Sequence, residues 1–215
     1  MKKDISEVMN KANVVGLWFS MLLGLGLGMP SAVWADFSDR VYQVEFYVFS
    51  QNQTEGREAE YWFNDPIDDL YENSITLEQG ASYFESFSIV PSAQLLTPEL
   101  LDGLVSSRQY RLLYHAAWQQ KVQSEEQTMP IRLHGGQLFG NIEYELEGVF
   151  KLYLTRYLHL EGEVALKDMA FNDQLGQWGE VARYTMNASS RMRSGKVYYL
   201  DHPVLGIAIV IHHVS

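Results

Sequence analysis

The segment that most constrains the fold is the C-terminal stretch 189–214, SSRMRSGKVYYLDHPVLGIAIVIHHV. An aromatic run, Val197–Leu200, precedes the sequence Asp-His-Pro at 201–203, and a nearly unbroken apolar run, Val204–Ile211, follows it. Asp and Pro favour tight turns, and a continuous apolar run of this length is typical of a strand buried on both faces. The segment therefore predicts a strand, a turn and a buried strand, and it carries no motif of an enzyme active site.

The first 35 residues have the pattern of a cleavable signal peptide. Lysines near the N-terminus precede the apolar stretch Val14–Met29, and the sequence Val33-Trp34-Ala35 fits a cleavage site. The apolar stretch is shorter than the roughly 20 residues that a membrane span needs, although a retained anchor is the alternative. We therefore expect a signal peptide, 1–35, followed by a single exported domain, 36–215.

The charge of the chain is unevenly distributed. The formal net charge is −11 at pH 7, which argues against nucleic acid as a partner because phosphate binding requires a basic surface. Acidic residues are concentrated in the segment 50–96, which we expect to be rich in loops. The pattern favours a solvated region that keeps the protein in solution. The alternative is a surface that docks a protein partner, with Asp65, Asp68 and Asp69 as candidate contacts.

Alternation of apolar and polar residues predicts that most of the chain is strand. One helix is expected after Thr97, since Thr is a preferred cap and Pro98 suits the first helical position. The expected fold class is α+β, with a mainly antiparallel sheet of five or more strands and one or two helices on one face. The order of the first elements also suggests a ferredoxin-like start. The predicted strands are Val41–Phe49, Tyr110–Gln120 (with a helix as the alternative), Ile131–Leu133 before a turn at His134-Gly135-Gly136, a strand or hairpin over Asn141–Leu166, and Val181–Ser190 with its continuation to Arg193.

The clearest alternating segment is Gly148–Leu160, read as one strand. One of its faces is leucine-rich, and the other carries Tyr153, Tyr157 and His159. Residues on the same face of a strand lie about 6.6–6.8 Å apart. A row of rings at this spacing is suited to an extended glycan, because sugar rings stack on aromatic planes. The alternative is an ordinary half-buried sheet face.

Arginines near this row are candidates for binding an anionic group of a ligand. Arg156 interrupts the apolar face, so the sequence predicts a buried arginine that is paired with Asp201 or Glu147, or else with a ligand carboxylate. Arg191 and Arg193 lie two residues apart, so both point to one face of a predicted strand. The candidate ligand-binding residues are Tyr153, Arg156, Tyr157, His159, Arg191, Arg193, Asp201 and His202.

The sequence contains no recognisable catalytic or metal-binding motif. Its six histidines do not form the spacings of a zinc site, and no serine-nucleophile motif occurs. We therefore expect no metal, no cofactor and no enzymatic activity. The alternative is a hydrolase with paired carboxylates such as Glu143 and Glu147, which with Glu145 share one strand face.

Four segments together resemble the CsiV family of bacterial proteins: YQVEFYVF (42–49), YRLLYHAAWQQ (110–120), RYLHLEGEV (156–164) and RMRSGKVYYLDHPVLGIAIVI (191–211). The resemblance implies a non-enzymatic, peptidoglycan-binding protein of the Gram-negative periplasm. It also implies a role in cell-wall synthesis, with a bifunctional penicillin-binding synthase and its outer-membrane lipoprotein activator as partners. A scaffold that binds only proteins, through the acidic region, is the alternative. No ligand-contact residue is carried over from the family.

Overall fold

Two antiparallel sheets make up most of the described chain. The computed structural model describes residues 40–51, 73–84, 87–140 and 143–214, so the predicted signal peptide and most of the acidic segment lie outside the described residues. The strands are β1 (Val41–Gln51), β2 (Phe87–Ile89), β3 (Tyr110–Lys121), β4 (Ile131–Phe139), β5 (Glu143–Leu154), β6 (Leu158–Asn172), β7 (Gln177–Met192), β8 (Lys196–Asp201) and β9 (Leu205–His213), and the helices are α1 (Leu77–Tyr83) and α2 (Pro98–Ser106).

The predicted α+β class is confirmed, with two sheets instead of one. The larger sheet has the strand order β2-β3-β1-β9-β8, and the smaller has the order β4-β5-β6-β7. The first strand and β3 are antiparallel neighbours. The expected ferredoxin-like start is present, with α1 as its helix: β1 and β2 flank α1 and are both antiparallel to β3 between them, so they are parallel to each other. Neither helix in the described part of the chain is long and apolar enough to cross a membrane.

The main hydrophobic core lies between the two sheets. The rings of Phe46 on β1 and Phe150 on β5 stack with centroids 4.5 Å apart and an interplanar angle of 13°. Trp118 on β3 is fully buried and packs against Phe150 at 5.4 Å. Contacts between aromatic rings of both sheets hold the two layers face to face, which leaves the other face of the smaller sheet open for a site.

A second, smaller core covers the opposite face of β1. Tyr47 and Phe49 pack there with Leu104 of α2. The carboxylate of Glu45 is also buried on this face and accepts hydrogen bonds from the backbone N–H and the hydroxyl of Thr97, at 3.0 and 2.6 Å. The predicted start of α2 is confirmed, but the Thr97 hydroxyl binds Glu45 and does not cap the helix.

The segment Tyr110–Gln120 is a strand, as predicted, and the helical alternative is wrong. Its alternation is interrupted where the register with β1 shifts between Val48 and Phe49, opposite Leu113. Leu113 therefore packs in the main core, whereas Leu112 packs beside α2. A bulge of this kind exchanges the two faces of a strand, so strict alternation counted back from Trp118 places these two leucines on the wrong faces.

The predicted turn at His134-Gly135-Gly136 is wrong, because β4 continues through it to Phe139. The register with β5 shifts between Gly135 and Leu138, so the strand is bulged here. A Cβ atom on Gly135 would overlap the carbonyl oxygen of Leu113, and Gly136 has a φ of +68°. These glycines allow β4 to approach β3 closely and to bulge without turning back.

The C-terminal segment folds as predicted. The strands β8 and β9 are joined by the turn after Asp201, and β9 is buried between β1 and β8. The tight connection before β8 contains Gly195 with a φ of +78°. The continuous apolar run is explained by the position of β9, since both of its faces are covered and both of its edges are paired.

Candidate functional site

The segment Gly148–Leu160 forms two strands joined by a tight hairpin, so its interpretation as one strand is wrong and the hairpin alternative for residues 141–166 is confirmed. The connection is Thr155–Tyr157, in which the backbone N–H of Thr155 donates to the carbonyl of Tyr157 at 3.0 Å. A three-residue connection keeps the alternation in phase, because Leu154 and Leu158 pair directly and both face the core. The two predicted faces are therefore correct, although the chain reverses between them. The reversal brings predicted site residues from β5 and β6 side by side.

Three side chains form a row across adjacent strands on the open face of the smaller sheet. Tyr153 on β5 pairs with His159 on β6, and His159 pairs with Arg191 on β7. The rings of Tyr153 and His159 stack with centroids 5.2 Å apart at an angle of 11°. The His159 ring is also held by a 3.1 Å hydrogen bond between its Nε2 and the hydroxyl of Thr155. Strand pairing and these contacts therefore fix the three side chains next to one another.

Tyr153 is the buried member of this row. Its hydroxyl donates a 2.6 Å hydrogen bond to Oε1 of Glu161, and its side chain is only 5% exposed. This hydrogen bond and burial favour the neutral hydroxyl and raise the pKa of Tyr153 to about 12. Lys151 lies above the ring, with Nζ 5.8 Å from the centroid. Tyr153 thus positions its neighbours, and little of its own surface faces solvent.

Tyr157 is the exposed ring of the site. Its side chain is 40% exposed at the hairpin connection. The guanidinium carbon of Arg191 lies 4.4 Å from the ring centroid, and that of Arg156 lies 5.6 Å away. Both distances allow cation–π attraction, which orders the two arginines beside the ring. We define the hairpin patch as Lys151, Tyr153, Arg156, Tyr157, His159 and Arg191.

Arg156 is exposed, so the predicted buried ion pair is wrong. The residue lies in the hairpin connection, outside the sheet that would have buried it. The two predicted partners have other contacts: Glu147 binds Lys167 and Arg183, and Asp201 accepts a 2.9 Å hydrogen bond from Gln51. The guanidinium of Arg156 thus faces solvent next to Tyr157 and is placed to meet an anionic group of a ligand.

An open depression of about 410 Å³ adjoins the hairpin patch. Lys151, Glu161 and Ser189 form the next row across the same three strands, and this row lines the depression. Two residues along a strand correspond to about 6.6–6.8 Å, so the rings and the depression form one continuous surface. The other polar residues lining the depression are Glu125, Glu163 and Asn187.

Of the three remaining predicted ligand-binding residues, Asp201 and His202 lie apart from the hairpin patch, whereas Arg193 lies two residues beyond Arg191. Arg193 follows the end of β7, and its backbone N–H donates to the hydroxyl of Tyr198 at 2.7 Å. Asp201 is at the far end of β8, five residues from Lys196, which corresponds to roughly 17 Å along the strand. His202 follows it, and its Nδ1 accepts from the N–H of Val204 at 3.3 Å. The structure therefore does not bring Asp201 and His202 to the hairpin patch.

The candidate partner-docking residues Asp65, Asp68 and Asp69 lie outside the described residues.

Three carboxylates that sequence alternation placed on one face of β5 are all paired with cations. Lys167 lies 3.1 Å from Glu143 and 2.7 Å from Glu147, with its side chain only 5% exposed. Glu145 accepts a hydrogen bond from Nη1 of Arg111 at 2.9 Å. Carboxylates held in this way cross-link neighbouring strands.

Sequence reasoning missed the residues of the depression on β6 and β7. The outward direction of Glu161 and Glu163 follows from continuing the alternation of His159 along β6, so a signal was present. Asn187 and Ser189 join them only because β7 pairs with β6 in one register. That register depends on tertiary pairing, for which the sequence of β7 contains no local signal.

A two-sheet fold with an exposed ring, flanking cations and an adjoining depression is typical of a protein that holds a ligand on an open sheet face. The chain belongs to the CsiV family: the family model, described as a peptidoglycan-binding protein, matches residues 17–214. The predicted family resemblance is thus confirmed, and the protein is a peptidoglycan-binding protein by family. No significant match was found among curated proteins or among solved structures.

Proposed function

We propose that this protein holds peptidoglycan on the open face of its smaller sheet, through the hairpin patch and the adjoining depression, and does not cleave it. The observation that carries the proposal is the position of Tyr157. Its ring is exposed, two guanidinium groups lie within 6 Å of its centroid, and the depression begins one row away. A ring beside cations matches a polymer that has sugar rings and carboxylates close together.

The chemistry of peptidoglycan fits both the hairpin patch and the depression. Sugar rings stack on the face of an aromatic side chain, and the carboxylates of the stem peptides suit Arg156 and Arg191, whose planar groups can each donate two hydrogen bonds. Sugar hydroxyls and N-acetyl groups suit the polar residues of the depression, such as Asn187 and Ser189, which are hydrogen-bonding side chains. The surface would therefore bind a short stretch of glycan together with one stem.

The absence of cleavage is proposed from the family, which is described as peptidoglycan-binding, and from the state of the β5 carboxylates that were the predicted catalytic candidates. Glu143, Glu145 and Glu147 are engaged by Lys167, Arg111 and Arg183. Hydrolysis of a glycan requires one carboxyl that donates a proton and a second that attacks or activates water. Incubation of the protein with radiolabelled peptidoglycan should release no soluble fragments, and time-dependent release would contradict this part of the proposal.

The cellular role is proposed from family membership. The protein would be exported by its signal peptide, 1–35, and would act in the periplasm. There it would support cell-wall synthesis by a bifunctional penicillin-binding synthase and the outer-membrane lipoprotein activator of that synthase. Binding to peptidoglycan would keep the protein next to the polymer on which the synthase works.

Co-sedimentation with purified sacculi tests the proposed surface. Tyr157→Ala removes the exposed ring and should weaken binding by about 1–1.5 kcal/mol, roughly tenfold. Arg191→Gln should also weaken binding, with a stronger effect at low salt because it removes a charge. Tyr83→Ala is the matched control, since this tyrosine is 79% exposed on α1 and belongs neither to the hairpin patch nor to the lining of the depression. Equal sedimentation of the wild type and Tyr157→Ala would refute the assignment of the surface.

A further inference from the structure

The strands β6 and β7 extend beyond the residues that pair with β5 and form a two-stranded ribbon, residues 167–183. Pairing between β5 and β6 ends at Leu146 and Leu166, whereas pairing between β6 and β7 continues to Asn172 and Gln177. An isolated two-stranded ribbon has marginal stability in water. A ribbon of this kind that carries large exposed apolar side chains is therefore a candidate interaction surface.

Four large apolar side chains of the ribbon are exposed. The exposed fractions are 67% for Leu175, 66% for Val181, 50% for Phe171 and 39% for Trp178. Leu175 lies in the turn at the end of the ribbon, and Val181 is the extra residue where the register shifts after Asp168. Exposed apolar side chains concentrated in one element mark interaction sites more often than scattered ones do. We define the ribbon patch as Phe171, Leu175, Trp178 and Val181.

The aromatic part of the ribbon patch is held in place before any partner binds. The rings of Phe171 and Trp178 meet edge to face with centroids 5.5 Å apart. Trp178 also contacts Phe139, at the end of β4, at 4.8 Å. These contacts tie the ribbon to the end of β4, so that little side-chain entropy would be lost on docking. A tryptophan that is ordered in this way is a typical anchor of a protein interface.

The charge exposed around the ribbon patch is negative. The two basic side chains of the ribbon, Lys167 and Arg183, are only 5% and 14% exposed and are bound to carboxylates. Glu143 beside the ribbon is 39% exposed and Glu180 is 24% exposed, and Asp173 lies in the exposed turn. An acidic border of this kind attracts a basic partner and repels an acidic one.

These observations favour one kind of occupant. A second copy of this acidic chain would bring like charges together, and an anionic lipid surface would be repelled in the same way. A glycan is disfavoured because Leu175 and Val181 offer no hydrogen bond to its hydroxyl groups. We propose that the ribbon patch docks a protein whose surface has an apolar cleft bordered by Lys and Arg. The inference rests on the proposed function for the existence of a protein partner, and it adds the surface and its chemistry.

Binding measurements with the full chain test this inference, with the purified synthase and the purified lipoprotein activator as probes. At least one of them should bind the wild type, and the double variant Leu175→Gln/Val181→Thr should weaken that binding by about tenfold or more. Asp173→Lys should slow association several-fold, since it reverses one charge of the acidic border. Tyr83→Gln is the control and should bind normally. All variants should sediment with sacculi as the wild type does.

The outcomes separate this inference from the proposed function. Binding of the double variant equal to that of the wild type would overturn the ribbon patch alone. A wild type that binds neither probe would overturn the proposed partnership, and the ribbon inference with it. Self-association that is lost in the double variant would show that the occupant is a second copy. Retention on phosphatidylethanolamine–phosphatidylglycerol vesicles, lost in the same variant, would show that it is a lipid surface.

Discussion

Replacement of Glu45 by glutamine is expected to destabilise the protein strongly. The Glu45 side chain is fully buried, and Oε2 accepts hydrogen bonds from the Tyr47 hydroxyl at 3.0 Å and from the N–H and hydroxyl of Thr97. Oε1 accepts from the N–H of Leu96. All four bonds reach a carboxylate, and together they hold the chain segment before α2 against β1.

The magnitude follows from counting acceptors. An amide has one accepting oxygen, so Glu45→Gln must turn its NH₂ group either toward the Leu96 N–H or toward the three other donors. In the better case one bond to a charged group is lost, which costs about 1.5–3 kcal/mol. The three remaining bonds become neutral and weaker, so we expect a total loss of about 3–4 kcal/mol. For a protein of this size the melting temperature should fall by about 6–15 °C.

Thermal unfolding followed by circular dichroism and by calorimetry measures this loss. The matched control is Glu99→Gln, in the exposed first turn of α2, which removes the same charge near the same helix N-terminus. The control should lose less than about 1 kcal/mol, the usual contribution of a carboxylate to the helix dipole. A Glu45→Gln variant as stable as Glu99→Gln would refute the view that the buried carboxylate anchors α2.

Three further predictions concern other elements of the fold. Gly135→Ala should cost about 1–3 kcal/mol in denaturant unfolding, because its methyl group meets the carbonyl of Leu113, whereas Gly103→Ala in α2, with open space around it, should be neutral or stabilising. Lys167→Met should cost about 1–2 kcal/mol, since it leaves a partly exposed carboxylate unpaired, and an unchanged unfolding free energy would show that the ion pairs contribute nothing. Burial lowers the pKa of His115, so its neutral form is favoured in the folded state and stability should fall as the pH drops through about 6.5. His115→Phe should reduce this loss between pH 7.5 and 5.5, and an unchanged pH dependence would assign the loss to other groups.

The position of a strand could be predicted from the sequence wherever the local pattern and the tertiary environment agree. The apolar run of β9 predicts a buried strand because no polar residues alternate with the apolar ones. The structure places this strand between β1 and β8. The strand β1 and the helix α2 were also found, the helix from Thr97 and Pro98 at its start. These signals are local, since each depends on residues within a few positions of one another.

The errors arose where the chain departs from regular alternation for tertiary reasons. The connection Thr155–Tyr157 contains neither glycine nor proline, so the sequence carried no turn signal there. The pair Gly135-Gly136 carried a strong turn signal, but these glycines serve the close approach of β4 to β3. The wrong prediction that Arg156 is buried followed from the missed turn. Arg156 lies in the hairpin connection, outside the sheet, so alternation along a strand does not set its exposure.

The sequence by itself determined the secondary structure of most elements, the apolar faces and the family, because these depend on composition and on short-range periodicity. The tertiary structure alone decided that Tyr153, His159 and Arg191 form one row, that Asp201 lies far from it, and that a depression adjoins it. Strand order and register are set by packing between distant segments, and a shift of one residue would point each side chain to the opposite face. The candidate site is a product of that register.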